Sequence, residues 1–289
     1  MTELPPFGML SLLKPPGMTA HDVVGVVRRR LRHRQVGHSG TLDPAAAGVT
    51  VVAVGKATRL LRFLRGGKRY RAEVLFGLGT DSADLEGHVV ERQDASRLNG
   101  QALEEAMTAF RGDIRQRPPM TSAVHVNGKR LYELARAGQT LAPEAIPERR
   151  VTIETLDLLS FEPGAIARAH LDVACSAGTY IRSLAVDIGA AVGLPACLGF
   201  LLRTEAGDAH LGTAQTLEAF EEAPRWLPQE TWLGHMPALT IDAAAVEDIR
   251  HGRRINGHLP GEGRLLDPEG QLVAIAAPQD DQLQPLLVL

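Results

Sequence analysis

The protein has 289 residues and a mass of 31.1 kDa, with 44% hydrophobic and 22% charged residues, which excludes a disordered or collagen-like chain. No run reaches the roughly 18 uninterrupted apolar residues of a membrane helix, and the acidic, proline-containing N-terminus predicts no export signal. Two cysteines without CxxC spacing predict neither a disulfide framework nor a zinc ribbon. We therefore expect a cytoplasmic protein that makes no membrane contact.

The net charge of −3 is unevenly distributed. From Lys14 to Arg71, thirteen Lys and Arg residues stand against two acids, Asp22 and Asp43, so this segment carries +11 and the remainder −14. A basic N-terminal quarter on an acidic body indicates either a polyanion-binding face or a solvated helix face. Aromatic residues are only 4% of the chain, so each one near this segment is a candidate for stacking on a nucleic-acid base.

The first strong element in chain order is a helix over 19–34. Thr19 and Asp22 form a capping-box pattern at its start, and apolar residues recur at helical spacing along it. Arginines crowd its C-terminal end, where cations suit the helix dipole. A Gly-rich loop over 35–48 follows, whose backbone can come close to a ligand, and then an apolar run predicts a buried strand over 49–54.

The later elements are predicted from periodicity and turn signals. They are a basic helix over 56–65, a strand over 68–76, a helix from Asn99 to Phe110, a hairpin turn at Asn127-Gly128, a helix from Leu131, strands over 151–161 and 167–175, and a helix within 176–193. Prolines over 222–238 predict a linker, and the short strand-like pieces beyond it predict a small β domain.

The signatures of nucleotide, metal and common hydrolase sites are missing from the sequence. It has no GxxxxGK[ST] loop and no GxGxxG opening a helix. It also lacks an HExxH metal spacing and a GxSxG nucleophile turn. We therefore predict that the protein uses no cofactor and no metal.

Asp43 is the candidate catalytic carboxylate. It lies in GHSGTLDP, is one of only two acids in the basic segment, and directly precedes the predicted buried strand. A carboxylate among cations stays ionised, which suits a nucleophile or an electrostatic stabiliser. The alternative is that Asp43 merely starts a turn, because Asp-Pro is a common turn dipeptide.

Several motifs in fixed order resemble one known family. GHSGTLDPAAAGVTVVAVGKATRL is followed by KRYRAEVLFGLGTDSADLEG, PPMTSA, GKRLYELARAG and CSAGTYIRSLAVDIG. This series looks like the bacterial TruB-type tRNA pseudouridine synthases, which act on uridine 55 in the T-loop of tRNA. The resemblance extends from about Leu12 to about Gly207, and the tail resembles the family's small PUA-like domain.

The resemblance implies a fold and an activity. We expect an α+β protein with a pseudouridine-synthase fold, in which a mixed, mainly antiparallel sheet has flanking helices. A catalytic domain over 1–235 would be followed by a β-rich, PUA-like RNA-binding domain over 236–289. The implied activity is cofactor-free isomerisation of uridine, with the T-loop and T-stem of tRNA as partner and a monomer as the acting form.

The resemblance also implies roles for matching residues. Asp43 falls on the catalytic aspartate, Tyr180 in GTYIR on the active-site tyrosine, and Arg182 on the arginine that pairs with the aspartate. Tyr180 is also expected to bind substrate. The other matches are substrate-binding: His38 for the opened T-loop, Tyr70 for stacking on the target uracil, Leu201 for lining the pocket, and Lys14 in the N-terminal LLKPPG motif, supporting the catalytic loop. Ordinary structural readings compete: core aromatics for the tyrosines and a surface ion pair for Arg182.

Five positions depart from the family's usual pattern: Ala47, Thr50, Thr121, His125 and Leu202. They put loop hydrogen bonds and one RNA-contact charge in doubt but leave the implied catalytic residues in place.

Two other functions fit parts of the sequence. A non-catalytic RNA-binding or RNA-folding module would use the same basic face, although it needs no carboxylate directed at a polyanion. A glycoside or nucleoside hydrolase would use Asp43, although no clear second carboxylate accompanies it.

Overall fold

The computed structural model describes residues 7–126, 128–139 and 141–289. The helices of this part of the chain are α1 (Ala20–Leu31), α2 (Gly100–Met107), α3 (Leu131–Arg136), α4 (Ile181–Ala191), α5 (Leu217–Glu222) and α6 (Ala243–Arg250). No helix among these residues is long and apolar enough to cross a membrane.

The strands of the described residues include all four that were predicted over 49–54, 68–76, 151–161 and 167–175, and others that were not predicted. They are β1 (Gly8–Lys14), β2 (Val36–His38), β3 (Ala47–Val54), β4 (Lys68–Phe76), β5 (Leu78–Thr80), β6 (Val89–Arg92), β7 (Gly112–Gln116), β8 (His125–Val126), β9 (Lys129–Arg130), β10 (Arg149–Glu162), β11 (Ala167–Cys175), β12 (Ala196–Ala206), β13 (Ala209–His210), β14 (Ala238–Thr240), β15 (Ile255–Asn256), β16 (Gly263–Leu266), β17 (Leu272–Gln279) and β18 (Gln282–Val288). β8 and β9 pair antiparallel around the predicted hairpin turn, of which Asn127 lies outside the described residues.

The described residues form two compact units. Unit 1 contains residues 7–44, 49–65 and 206–289, and unit 2 contains residues 45–48 and 66–205.

In unit 1, α1 packs its valines against β1 and β3. Val23, Val24 and Val27 are buried in one core with Leu10 of β1 and Val52 of β3. The predicted capping box between Thr19 and Asp22 is present. The helix ends three residues before the predicted end, because Arg32 adopts a left-handed backbone with φ of 51° and closes the last turn.

The C-terminal part of unit 1 is a five-stranded sheet in the order β14-β16-β17-β18-β15. Its strands pair antiparallel except for β14 and β16, which are parallel. Helix α6 covers this sheet with Val246 and Ile249, whereas Ile275 and Leu287 share a second core with Met9 of β1. The N-terminal strand and the C-terminal sheet therefore depend on each other for burial.

Unit 2 is built on strands in the order β12-β4-β11-β10-β7. β4, β11, β10 and β7 pair antiparallel, and the first residues of β3, Ala47 and Gly48, pair in parallel with Leu202 and Arg203 of β12. The sheet is thus mixed and mainly antiparallel, as predicted.

One predicted helix is wrong in type. Residues 56–65 were expected to form an α-helix, but Gly55–Phe63 is a 3₁₀-helix. Ala57, Leu60, Leu61 and Phe63 contact the core, and Leu64 directly after the element does so too. This apolar spacing also fits an α-helix, so the sequence pattern does not distinguish the two helix types.

Candidate active site

The loop that carries Asp43 (residues 39–46, the Asp43 loop) joins β2 to β3 and is held by Lys14 of β1. The Lys14 side chain is only 1% exposed, and its ammonium donates to the carbonyl oxygens of Pro15 at 2.9 Å, Met18 at 2.6 Å and Pro44 at 3.1 Å. The Gly17 N–H donates to the same Pro44 carbonyl at 2.8 Å. A buried ammonium needs such acceptors, so the position of the residue after Asp43 is fixed by a charge-assisted bond.

The other end of the loop is fixed by β-sheet pairing. His38 pairs with Val52 across β2 and β3, and Ser39 N–H donates to the Val51 carbonyl at 3.0 Å. The His38 Nδ1 accepts a hydrogen bond from the Gly40 N–H at 3.2 Å, so the proton of a neutral ring belongs on Nε2. The half-buried ring of His38 is therefore oriented by the loop itself.

Gly48 allows close packing five residues after Asp43. Its φ is 127°, and a Cβ there would lie 2.2 Å from the Arg203 carbonyl oxygen. Any side chain at this position would push β3 away from β12, which explains the glycine.

Tyr70 lies in the middle of β4, opposite Val173 of β11, and is 5% exposed. Its neighbours Arg69 and Arg71 point to the opposite face of the sheet, where both pair with Asp172; the Arg71 Nε lies 3.2 Å from Asp172 Oδ1. Asp172 is buried, so it holds two cations in a fixed place. Arg69 and Arg71 are thus anchored within the protein.

Arg182 lies in the first turn of α4 and is 4% exposed. Its Nη1 lies 3.5 Å from Asp84 Oδ2 and donates to the Ser82 carbonyl at 3.2 Å. The same guanidinium donates to the Thr121 hydroxyl. The Thr121 hydroxyl thus has a defined role at a position that departs from the usual family pattern.

Tyr180 precedes α4 and is held by the buried side chain of Gln116, at the end of β7. The Gln116 Oε1 accepts from the Tyr180 N–H at 3.0 Å, and its Nε2 donates to the Tyr180 carbonyl at 3.3 Å. The Tyr180 ring packs against a small apolar cluster that includes Val124 and Leu131. One amide thus fixes both backbone groups of Tyr180, which determines where its ring can lie.

The remaining predicted residue, Leu201 of β12, is buried at 6% exposure. Unit 1 therefore holds Lys14, His38 and Asp43, and unit 2 holds Tyr70, Tyr180, Arg182 and Leu201.

Both cysteines are buried as free thiols. Burial raises the pKa of Cys175 and of Cys197 to about 11, so both stay protonated near neutral pH. No group of three or more His, Cys, Asp or Glu side chains within residues 7–126, 128–139 and 141–289 is placed to hold a metal ion.

Sequence reasoning missed Gln116 and Asp84 as supports of the site. Asp84 stands inside TDSADLEG and Gln116 stands two residues before PPMTSA, yet a polar residue in or beside a motif does not reveal which backbone group or cation it contacts. Only the arrangement of β7 and the 80–87 loop beside α4 gives them their partners.

Two family models match this chain. The model of the TruB family pseudouridylate synthase (N terminal domain) matches residues 28–181, and that of tRNA pseudouridine synthase II, C terminal, matches residues 236–289. The chain belongs to the TruB family.

Two relatives illustrate the extent of the family match. tRNA pseudouridine synthase B of Symbiobacterium thermophilum is 49% identical over 247 residues, covering 85% of this chain and 82% of the relative. tRNA pseudouridine synthase B of Moorella thermoacetica is 46% identical over 291 residues, covering 95% of this chain and 94% of the relative.

A solved structure supports the fold of this TruB-family chain. A chain in the structure of an H/ACA RNP bound to a substrate RNA containing 2′-deoxyuridine aligns with a TM-score of 0.73 at 24% identity, covering 97% of this chain and 84% of that chain. The predicted α+β pseudouridine-synthase fold with a β-rich C-terminal domain is confirmed.

Proposed function

We propose that this protein converts uridine 55 in the T-loop of tRNA to pseudouridine and binds tRNA through the T-loop and T-stem. The observation that carries the proposal is the match over 95% of the chain to a relative named tRNA pseudouridine synthase B. We further propose that it acts in the cytoplasm, as a monomer and without a cofactor.

The reaction sets what the site must do. The bond from uracil N1 to ribose C1′ breaks, a bond from uracil C5 to C1′ forms, C5 loses a proton and N1 gains one. Substrate and product have the same atoms, so no water, ATP or redox partner is consumed. The target base must leave the RNA stack first, which requires a platform and a pocket for it.

We assign the ribose-side chemistry to Asp43. An ionised carboxylate can attack C1′ or remove a ribose proton, and both reactions need it at a fixed position. The Lys14 ammonium supports this assignment because it holds the carbonyl of the adjacent Pro44 and thus the loop backbone. In this proposal Lys14 is a positioning residue: it holds the Asp43 loop and affects substrate binding only through that loop.

We assign the base-side chemistry to unit 2. Tyr70 stacks on the flipped uracil, Leu201 lines its pocket, and Tyr180 accepts or relays the proton that leaves C5. Arg182 is a catalytic cation whose planar fork suits a carboxylate, and its anchoring by Asp84 and Thr121 supports a fixed orientation. His38 contacts the opened T-loop with the proton on Nε2.

We propose the division 1–235 for the catalytic domain and 236–289 for a PUA-like RNA-binding domain. The separate family match from residue 236 supports it, and so does the five-stranded sheet formed after that point.

The experiment is incubation with unmodified tRNA followed by mapping of pseudouridine. We expect modification at position 55 and none in a tRNA with cytidine there. Binding without product would instead indicate an RNA-binding module, and release of free uracil would indicate a hydrolase.

Asp43→Asn tests the carboxylate. We expect loss of isomerisation with tRNA binding retained, because an acid adds no attraction to a polyanion. Residual turnover within about tenfold of wild type, or roughly 1.4 kcal/mol of barrier, would overturn the assignment.

The two tyrosines are separated by Phe variants. Stacking needs only a ring, so Tyr70→Phe should stay active while Tyr70→Leu loses the roughly 1–3 kcal/mol of a stacked base. Tyr180→Phe should bind tRNA normally and be slow in single-turnover chemistry. Equal behaviour of the two Phe variants would refute the division of roles.

A further inference from the structure

A cationic cavity lies at the C-terminal end of α1, in unit 1. It has a volume of about 300 Å³ and is lined by Arg28, Arg29, Arg32, His33 and Arg34. All five lining residues are basic, and the 28–34 segment contains no acid. The segment therefore concentrates positive charge around an opening in the surface.

Some of these basic side chains already serve the fold. Arg28 Nη2 donates to the Val36 carbonyl at 3.1 Å, and the His33 Nδ1 accepts from the Gln35 N–H at 3.2 Å. Arg30, which does not line the cavity, donates from Nε to the Glu221 carbonyl at 2.5 Å. The first two bonds hold Arg28 and His33 of the lining in place, and the third holds the helix end beside it.

Three other guanidinium groups of the cavity make no such hydrogen bonds to the described part of the fold. Within the described residues, the side chains of Arg29, Arg32 and Arg34 make no hydrogen bond and no ion pair. All three are exposed. The helix dipole offsets only about half an elementary charge at this end, so the group has an excess of positive charge that favours an anion.

The backbone presents these groups together. The left-handed Arg32 ends the helix, and the His33 N–H donates back to the Arg28 carbonyl at 3.2 Å. The chain thus turns so that residues before and after the turn line one cavity. The backbone of this turn is fixed, so only the arginine side chains have to be ordered when an anion binds.

We propose that this cavity binds phosphodiester groups of the tRNA backbone, as a contact additional to those that hold the target uridine. This inference rests on the proposed function. Guanidinium forks pair with phosphate oxygens bidentately, and an open cavity admits a phosphate that is part of a chain. Because all the lining residues are basic, the lining offers no apolar anchor of the kind that is typical of protein-interface hot spots and amphipathic membrane helices.

The test compares two double variants of the full-length protein. Arg29→Gln/Arg34→Gln removes two charges from the cavity. Arg150→Gln/Arg168→Gln removes two exposed arginines that are paired with Asp113 and Glu73. The dissociation constant for unmodified tRNA is measured at several KCl concentrations, and pseudouridine is mapped in the same samples.

For the association constant of tRNA, we expect the cavity variant to reduce the magnitude of the slope of its logarithm against log salt concentration by about 1.4 to 1.8. Each lost phosphate contact removes about 0.7 to 0.9 from that slope. Affinity near 0.15 M salt should fall roughly tenfold. The control variant should keep the wild-type slope. Equal slopes in all three proteins, or equal losses in both variants, would overturn the proposal.

Two further outcomes distinguish the sources of phosphate and the two proposals. If inorganic phosphate raises the melting temperature of wild type but not of the cavity variant while their tRNA slopes coincide, the cavity takes free anions and the proposal fails. If wild type makes no pseudouridine but the slopes differ as expected, the proposed function fails and the phosphate site is supported.

Discussion

The arginines at the end of α1 and those of unit 2 are chemically identical but differ in their partners. In unit 2, Arg182 is buried beside Asp84, and Arg69 and Arg71 share Asp172. At the end of α1, Arg29 and Arg34 have no acceptor among the described side chains and backbone groups. A paired arginine orients neighbouring groups, whereas an unpaired one is available to bind an external anion.

The difference shows why a charge count alone is a poor guide to an RNA interface. Arg69 and Arg71 contribute to the +11 of the basic segment, yet Asp172, a hundred residues later in the chain, neutralises part of that charge. Within the basic segment, the interpretation as a polyanion-binding face is therefore weaker for Arg69 and Arg71 than for the exposed arginines at the C-terminal end of α1.

Breaking the buried pair in unit 2 should have the largest effect. Arg182→Met leaves Asp84, 8% exposed, without its cation, and we expect a loss of about 3–5 kcal/mol in the free energy of unfolding. Arg182→Lys keeps the charge but not the fork, so it should fold yet lose about 100-fold or more in single-turnover rate.

Urea denaturation measures the first effect and rapid-quench kinetics the second. The matched control is Arg168→Lys, because Arg168 is an exposed arginine paired with Glu73. It should change neither the free energy of unfolding nor the single-turnover rate. A fully active Arg182→Lys enzyme would show that the planar fork is unimportant.

Asp187 of α4 is an acid that contrasts with the paired arginines of unit 2. It is half-buried and has no cation or hydrogen-bond partner within the described part of the chain. Burial raises its pKa from 3.8 to about 6. The folded state thus holds the proton more tightly than the unfolded state, so stability should fall as pH rises from about 4 to 6 and stay reduced above it.

Asp187→Asn should remove this penalty and stabilise the protein at pH 7.5 by about 1–3 kcal/mol, with the difference gone at pH 4. Glu218 of α5 is the opposite control. A hydrogen bond from its own backbone N–H lowers its pKa, so Glu218→Gln should destabilise near neutral pH and lose that effect as pH falls. Thermal unfolding across pH measures both, and an Asp187→Asn profile parallel to wild type would contradict the prediction.

Gln116 tests whether backbone positioning matters as much as charge in unit 2. Gln116→Leu removes both hydrogen bonds to Tyr180, and we expect about a tenfold fall in kcat with little change in tRNA affinity. Gln116→Glu keeps the acceptor for the Tyr180 N–H, so its kcat should lie between those of wild type and Gln116→Leu. A KM increase at constant kcat would instead place Gln116 in substrate binding.

The smallest effect on the free energy of unfolding is expected for the exposed arginines at the C-terminal end of α1. Arg29→Gln and Arg34→Gln should each change the free energy of unfolding by less than about 0.5 kcal/mol, since both side chains are exposed and have no partner among the residues that the structure describes. Asp172→Asn, in the paired region, should cost about 1–3 kcal/mol in the same urea assay. Equal costs in the two regions would remove the distinction between them.

Local patterns predicted the elements that depend mainly on neighbours in the chain, but not β1, β7, β12, α5 or α6. The Thr19 and Asp22 capping box, the alternation over β4 and the strand pair β10 and β11 all follow from short-range periodicity. The 3₁₀-helix at Gly55–Phe63 was missed because basic composition and apolar content alone do not distinguish a spacing of three from 3.6.

The ordered motifs alone were enough to identify the family, and they contain the candidate residues Asp43, Tyr70, Tyr180 and Arg182.

The residues that hold these side chains and the Asp43 loop in place became visible only in the tertiary structure. Lys14 reaches Pro44 across 30 residues, Gln116 reaches Tyr180 across 64, and Arg69 meets Asp172 across 103. Such contacts depend on how strands are arranged in space, and a buried charge or amide takes whichever acceptor folding brings within hydrogen-bond distance, because leaving it unsatisfied costs about 1–3 kcal/mol or more.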